Sequence, residues 1–262
     1  MNLMHRLFAV FVVSTMFLIS FAPAQVGKVG KGNSVTWYGH AAFKITTVKG
    51  KIILIDPWLD NPKAPSSARN IDRVDLILVT HGHFDHLGNT VELAKKFDAT
   101  VVCNGAIAAY LTTKGVKKTA ILDYSGTYEV DNVKIVMVHA DHSSSIDNNG
   151  QQIEGGNAAG FVIQCENGVT MYHAGDTGVF GDMKLIADLY KPDIVMLPIG
   201  GVYTMGPKEA AKACELLNPR VIIPMHYGTF PALTGSPVDL KTFLPPQLKG
   251  RVADILPGDT VN

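Results

Sequence analysis

The sequence predicts an α+β domain in which β-sheets are covered by helices. Three observations carry this reading. About a dozen short strand-like runs fall into two blocks that each end in helical segments. One run, Asp75 to Thr80 (DLILVT), is nearly all apolar, as expected of a strand buried on both faces. After residue 32 there is no internal repeat, low-complexity segment or long linker, so one compact domain is the simplest architecture.

Val35 to Tyr38, Phe43 to Thr47 and Ile52 to Asp56 read as three successive strands, separated by Gly39-His40 and Lys49-Gly50. Asp56-Pro57 halts the third, and the Pro62/Pro65/Ser66/Ser67 stretch is a loop. The apolar run Asp75–Thr80 comes next, followed by a helix pattern from roughly Leu87 to Phe97. Further strands are predicted at Thr100–Cys103, Thr119–Leu122, Val133–Val138, Ala159–Cys165, Val169–Tyr172, Ile194–Leu197 and Val221–Ile223. Helices are predicted near Gly105–Thr113, Asp182–Tyr190, Pro207–Leu217 and Val238–Phe243. Pro207 suits a first helical turn, and Asn218-Pro219 is a stop.

At 262 residues the chain can bury a substantial core, and 47% hydrophobic with 18% charged residues is an ordinary globular composition. Lys+Arg and Asp+Glu both number 23, so no bulk field recruits nucleic acid or an anionic membrane. A nucleic-acid partner is therefore not expected.

The first residues are different material. Arg6 is the only Lys, Arg, Asp or Glu before Lys28, and it precedes the apolar run Leu7 to Phe21. Ala22-Pro23-Ala24 then supplies the small-x-small pattern of a cleavage site. This predicts a signal peptide over 1–24, a Gly/Lys linker over 25–33 and a domain over 34–262. The product would be periplasmic or secreted, with no stable membrane anchor after cleavage. The alternative is a retained anchor, against which the run falls short of the roughly 20 apolar residues a spanning helix needs. Cys103, Cys165 and Cys214 lack the spacing of a metal site and read as buried small hydrophobes.

The strongest chemical signal is Thr80-His81-Gly82-His83-Phe84-Asp85-His86, directly after the apolar run and before a helix. Neutral imidazole and carboxylate are the donors that zinc or a similar first-row ion prefers. Gly82 lets the backbone turn tightly, so alternate residues can point to different places. A loop at a strand's carboxyl end is also where open α/β architectures build sites.

His81-x-His83-x-Asp85-His86 resembles the signature of the metallo-β-lactamase superfamily. Further His and Asp residues follow in the matching order: Val138-His139-Ala140-Asp141-His142-Ser143-Ser144, then Tyr172-His173-Ala174-Gly175-Asp176-Thr177, then Ile222-Ile223-Pro224-Met225-His226-Tyr227-Gly228. More closely, the chain is similar to uncharacterised metal-dependent hydrolases related to the L-ascorbate-6-phosphate lactonases. Trp37-Tyr38-Gly39-His40, Asp56-Pro57-Trp58-Leu59, Gly155-Gly156-Asn157-Ala158-Ala159-Gly160 and Leu197-Pro198-Ile199-Gly200-Gly201 carry that likeness, which runs from Ser34 to the C-terminus.

The resemblance implies an αββα four-layer sandwich: two mixed β-sheets face to face, helices outside, the site at one edge. It implies that His81, His83 and His142 hold one divalent ion and that Asp85, His86 and His226 hold another. Asp176 would bridge them. The ions would be zinc, with manganese as the alternative. The chemistry implied is attack by a metal-activated hydroxide on an ester-like bond of a small-molecule substrate. A lactone or carboxylic ester is the first choice and a phosphodiester the second, with Asp85 and His40 in the catalytic machinery.

His139 competes with His142 for its place, and motif context favours His142. His173 reads as a hydrogen-bonded core histidine. His40 would meet the substrate or its leaving group, while Asp56 would orient a metal-bound histidine or cap its strand. Gly201, in the stretch Gly200 to Gly206, and Tyr227 would line the substrate pocket, the alternatives being a plain connection and aromatic packing.

Zinc-dependent β-lactamases depart from Asp-His at 85 and 86 or carry Cys where Asp176 stands. The nucleases of the superfamily carry a large extra domain. A mononuclear-iron persulfide dioxygenase and a non-catalytic metal-binding protein remain as other classes. Homo-oligomerisation stays open.

Overall fold

The computed structural model describes residues 32–262. The leader expected over 1–24 and most of the linker expected over 25–33 lie outside the described residues. Asn33 already belongs to the domain: it is buried, its side chain donates to Asn167 and it accepts from the Val48 amide.

The chain opens with strands β1 (Ser34–Trp37), β2 (Phe43–Thr46), β3 (Ile52–Ile55) and β4 (Leu76–Leu78). Two helices follow, α1 (Phe84–Leu87) and α2 (Thr90–Phe97), then β5 (Thr100–Cys103), α3 (Gly105–Thr113) and β6 (Thr119–Ile121). Then come β7 (Thr127–Val130), β8 (Val133–His139), the hairpin β9 (Ser145–Asn148) and β10 (Gln151–Glu154), β11 (Ala159–Gln164) and β12 (Thr170–His173). The last part is α4 (Met183–Tyr190), β13 (Ile194–Pro198), α5 (Pro207–Leu217), β14 (Val221–Met225), α6 (Pro237–Phe243), α7 (Pro246–Lys249) and β15 (Thr260–Val261).

Among the described residues, seven strands form one sheet in the order β15-β1-β2-β3-β4-β5-β6 and six form another in the order β14-β13-β12-β11-β8-β7. Both sheets are mixed. In the first, β3 to β6 run parallel and the rest antiparallel; in the second, only β12, β13 and β14 run parallel. The expected sandwich is therefore present.

Side-chain alternation along the strands builds its layers. In β11, Phe161 and Ile163 point between the sheets, where they meet Phe43, Ile45 and Ile55 of the first sheet. Val162, between them in sequence, points the other way onto Ala210, Cys214 and Leu217 of α5. On the opposite outer face, Ile77 and Val101 pack under Leu93 of α2 and Ile107 of α3. Each such side chain contributes about 1.5–3 kcal/mol when fully removed from water. Cys103, Cys165 and Cys214 are buried and unbridged, and burial pushes each thiol up to about 12.

Two local expectations need correction. The helix expected from about Leu87 is broken in two, because Gly88 sits at φ 41° against the Pro57-Trp58 backbone. A Cβ there would lie 2.6 Å from the Trp58 Cα. Strands β7, β9, β10 and β15 were not expected; polar, half-exposed residues such as Gln151-Gln152 in β10 weaken the apolar alternation that marks a strand.

Candidate metal centre

Every predicted donor lies at one edge of the sandwich. His40 stands in the β1–β2 turn, Asp56 directly after β3, the His81–His86 stretch after β4, His142 between β8 and β9, Asp176 after β12 and His226 after β14. The parallel strands β3–β4 and β12–β14 thus deliver their carboxyl ends to a common place, as in other α/β sites. Gly82 is required there for space: a Cβ would lie 2.6 Å from Ile146 Cγ1, so the loop packs flush against β9. The Gly82 amide donates to Ser144 Oγ at 3.1 Å.

The donors form two groups joined by a third, His81, His86 and Asp176, that overlaps both. The ring nitrogens of His81, His83 and His142 lie within 4.8 Å of one another, as do the donor atoms of His40, Asp85, His86 and His226. Asp176 lies between the groups. Its Oδ2 is 3.7 Å from His142 Nε2 and 3.0 Å from His226 Nε2, while its Oδ1 is 3.3 Å from His86 Nε2.

The hydrogen bonds behind the cluster fix which nitrogens face inward. Asp56, fully buried, accepts from the Thr80 amide at 2.8 Å, the Thr80 hydroxyl at 2.7 Å and His86 Nδ1 at 2.7 Å. His86 therefore presents the lone pair of Nε2 to the site. Thr80 Oγ1, having donated its only hydrogen to Asp56, accepts from His81 Nδ1 at 3.0 Å, which leaves His81 Nε2 as a second inward lone pair. His86 Nε2, His226 Nε2 and Asp176 Oδ1 are buried and make no well-aligned hydrogen bond. Such groups are costly unless a ligand satisfies them. Imidazole and carboxylate donors so disposed fit divalent metal ions.

Charge balance agrees. Burial lowers the pKa of His81, His83 and His142 and keeps their imidazoles neutral, the form that ligates. Burial also opposes a proton on His86 and His226, yet nearby carboxylates, Asp176 foremost, raise both, His226 to about 9. These two rings therefore carry the positive charge that a bound cation would replace, and each would shed a proton to ligate it. The same contacts hold Asp176 and Asp85 below the usual carboxylate range against the pull of burial.

His40 is fully buried in a left-handed turn at φ 50°. Burial lowers it to about 4, despite the hydrogen bond to Asp85, so its Nε2–H donates to Asp85 Oδ2 at 2.8 Å. Trp58 and Phe230 close on its ring edge-on.

His142, not His139, reaches the cluster. His139 is exposed at the end of β8 between the rings of Tyr124 and Phe180. His173 is a buried histidine that donates to the Ala41 carbonyl and accepts from the Gly175 amide. Two expected pocket residues need correction. Tyr227 stacks on Trp37 at 5.4 Å and packs on the core, and burial with Asp254 nearby raises its phenol to about 12. Gly201 turns the chain, its amide bonding Met205, and it is Tyr203 that reaches the cavity.

A cavity of about 770 Å³ opens over the cluster, within the range of small-molecule sites. Its other walls were not expected from the sequence: Phe84, the Phe230–Ala232 loop, and Asp147 with Gln152 on the β9–β10 hairpin. Only Phe84, an aromatic inside the His-rich motif, carried a signal of its own.

Residues 34–226 match the family model described as the Beta-lactamase superfamily domain. A metal-dependent hydrolase of Koribacter versatilis is 51% identical over 215 residues, covering 82% of this chain and 92% of that protein. One of Methanosarcina mazei is 44% identical over 228 residues, covering 87% of this chain and 97% of the relative. Among solved structures, a metallo hydrolase from the hyperthermophilic archaeon Ignicoccus hospitalis is 34% identical with a TM-score of 0.78, over 87% of this chain and 97% of that one.

Proposed function

We propose, for a chain that belongs to the metal-dependent hydrolases of the β-lactamase superfamily, that it cleaves an ester-like bond at a centre of two divalent ions. Zinc is the first choice of ion and manganese the second. The observation that supports two ions is the position of Asp176, whose carboxylate faces His142 on one side and His86 and His226 on the other. A pair of bound ions supplies Lewis acidity, lowering the pKa of water and polarising the bond to be cleaved.

The chain's own residues do the rest. His81, His83 and His142 hold one position; Asp85, His86 and His226 hold the other. Asp56 keeps His86 in one tautomer and Thr80 does the same for His81. His40 acts through Asp85 as a positioning residue, its N–H fixing one carboxylate oxygen. Trp58 and Phe230 shield that pair from water. No Ser or Cys nucleophile is needed.

The substrate reading is a lactone or carboxylic ester first and a phosphodiester second. A persulfide dioxygenase with one iron would leave the second donor group without a role, and the orphaned nitrogens of His86 and His226 speak against that. The reading also keeps export, with a leader cleaved after Ala24, so that the substrate is met outside the cytoplasm.

The test is a substrate panel on the mature protein, stripped and reloaded with zinc or manganese. The panel holds a lactone, an aryl ester, an aryl phosphodiester and a β-lactam, with Asp85→Ala as control and metal content measured in parallel. Metal-dependent ester or lactone turnover, lost in the control, is the expected result. Turnover of the β-lactam alone, or full activity with one iron per chain, would sink the proposal.

A further inference from the structure

The composition of the cavity walls narrows the substrate class, an inference that rests on the ester-hydrolase reading above. On one side stands an aromatic wall. Phe84 is 61% exposed although it lies inside the metal-binding motif. It meets Trp58 edge-on at 5.5 Å, and Trp58 stacks on Phe230 at 5.8 Å. The loop after β14 extends this surface with Pro231 and Ala232.

Tyr203 adds a fourth aromatic ring, 60% exposed. It is presented by an unusual turn in which Val202 takes φ 63°. A β-branched residue in the left-handed region is strained, at about 1–3 kcal/mol. The Gly201 amide bonds Met205 O and the Tyr203 amide bonds Gly201 O, which holds the turn.

The opposite wall is the β9–β10 hairpin. Asp147 and Gln152 are directly paired across the two strands and both line the cavity. The bland account of Asp147 is a turn residue, since its Oδ1 accepts from the Gly150 amide at 2.7 Å. The residue nonetheless lines the cavity and is its one acidic side chain outside the metal-donor cluster.

Among the described residues no Lys or Arg lines this cavity. An anion on the substrate remote from the scissile bond would find no counter-charge there, and it would meet Asp147.

We infer that the substrate is an ester or lactone carrying a sizeable uncharged apolar acyl or aryl group, laid along Phe84, Tyr203 and Phe230. A phosphate or carboxylate carried away from the scissile bond is disfavoured by the same walls.

Two measurements on the metal-reloaded mature protein test this. The first compares kcat/KM for p-nitrophenyl acetate, butyrate and octanoate, and for mono-p-nitrophenyl suberate, the carboxylate-ended match of the octanoate. Full burial of a methylene is worth roughly fourfold, so a rise of at least about 30-fold from acetate to octanoate is expected. The suberate should fall about tenfold or more below the octanoate. Phe84→Ala and Tyr203→Ala should each flatten the chain-length rise, and Asp147→Lys should narrow the neutral-to-charged gap.

The second measurement needs no turnover: quenching of tryptophan fluorescence by octanamide against suberamic acid, with Trp58 as reporter. Octanamide should bind about tenfold more tightly or better. A flat chain-length series, or equal handling of the charged and neutral partners, overturns the inference and leaves the ester reading intact. Preferential octanamide binding with no ester turnover overturns the ester reading and supports the apolar pocket.

Discussion

The two donor groups at the edge of the sandwich are built to different depths. His83 and His142 line the cavity from loops and are half-buried, while His81 of the same group is fully buried. In the deeper group His86 and His226 are fully buried, with Asp85 bonded from behind by His40 and His86 anchored by Asp56. Two members of the deep group are held by hydrogen bonds, His86 by Asp56, which in turn bonds the Thr80 amide, and Asp85 by His40, while the His226 ring makes no well-aligned hydrogen bond. The shallow group has one such anchor, Thr80 on His81. The deep group is therefore the more preorganised half, and both groups reach the cavity, one through His83 and His142 and the other through Asp85 and His226.

The largest effect is expected where the two halves join. Asp176→Ala removes the one carboxylate common to both. It should lower the metal content of both positions and reduce hydrolysis by more than the 10–100-fold that an outer hydrogen-bond partner is worth. Elemental analysis with activity checks this. Retention of two tightly held ions per chain would mean the halves are independent.

Asp56→Ala attacks the deep half from behind. Three buried donors, the Thr80 amide, the Thr80 hydroxyl and His86 Nδ1–H, lose their acceptor together. Each unsatisfied buried group costs about 1–3 kcal/mol, so the metal-free protein should lose several kcal/mol of stability. Metal affinity should fall about 10–100-fold. Thermal unfolding with and without chelator separates the two effects. An unchanged midpoint in chelator would show that Asp56 does not anchor the β4 loop.

His142→Ala tests the shallow half. One ion should be lost while the other stays, because no hydrogen bond behind His86 or His226 involves His142. Metal content near one per chain, with chelator still able to lower the melting temperature, is the expected pattern. Loss of both ions would erase the distinction between deep and shallow. A smaller change is expected from His40→Gln, whose amide can still donate to Asp85: kcat should fall while KM and metal content hold. A rise in KM with kcat unchanged would instead place His40 against the substrate.

The same contrast explains what the sequence made legible. The deep and shallow donors were readable because ligation demands particular residue types, and His81, His83, Asp85 and His86 compress that demand into one loop. The sandwich was readable in outline because buried strands such as Leu76–Leu78 are apolar on both faces. The cavity walls were not. Phe230, Asp147 and Gln152 come from separate loops and a polar hairpin, and nothing local distinguishes them from surface residues. Tyr227 misled for the opposite reason: it adjoins His226 in sequence, but His226 at φ 55° turns the chain, and the phenol ring leaves the site to stack on Trp37.

The smallest effect is expected at His139, and it bears on how a metal site should be read from spacing. His139 and His142 are three residues apart, but β8 ends between them. His139 shares the pleat face of Val133, Ile135 and Met137, but at the strand's end it has passed the core and lies exposed between Tyr124 and Phe180. His142, released from the pleat, can turn back to the cluster, where its ring stands 5.1 Å from His81 and 5.2 Å from His83. His139→Ala should leave metal content and turnover unchanged and shift stability by no more than about 0.5 kcal/mol, the usual scale for an exposed position. Metal loss in this variant, matching that of His142→Ala, would mean that the strand end unravels to deliver either histidine.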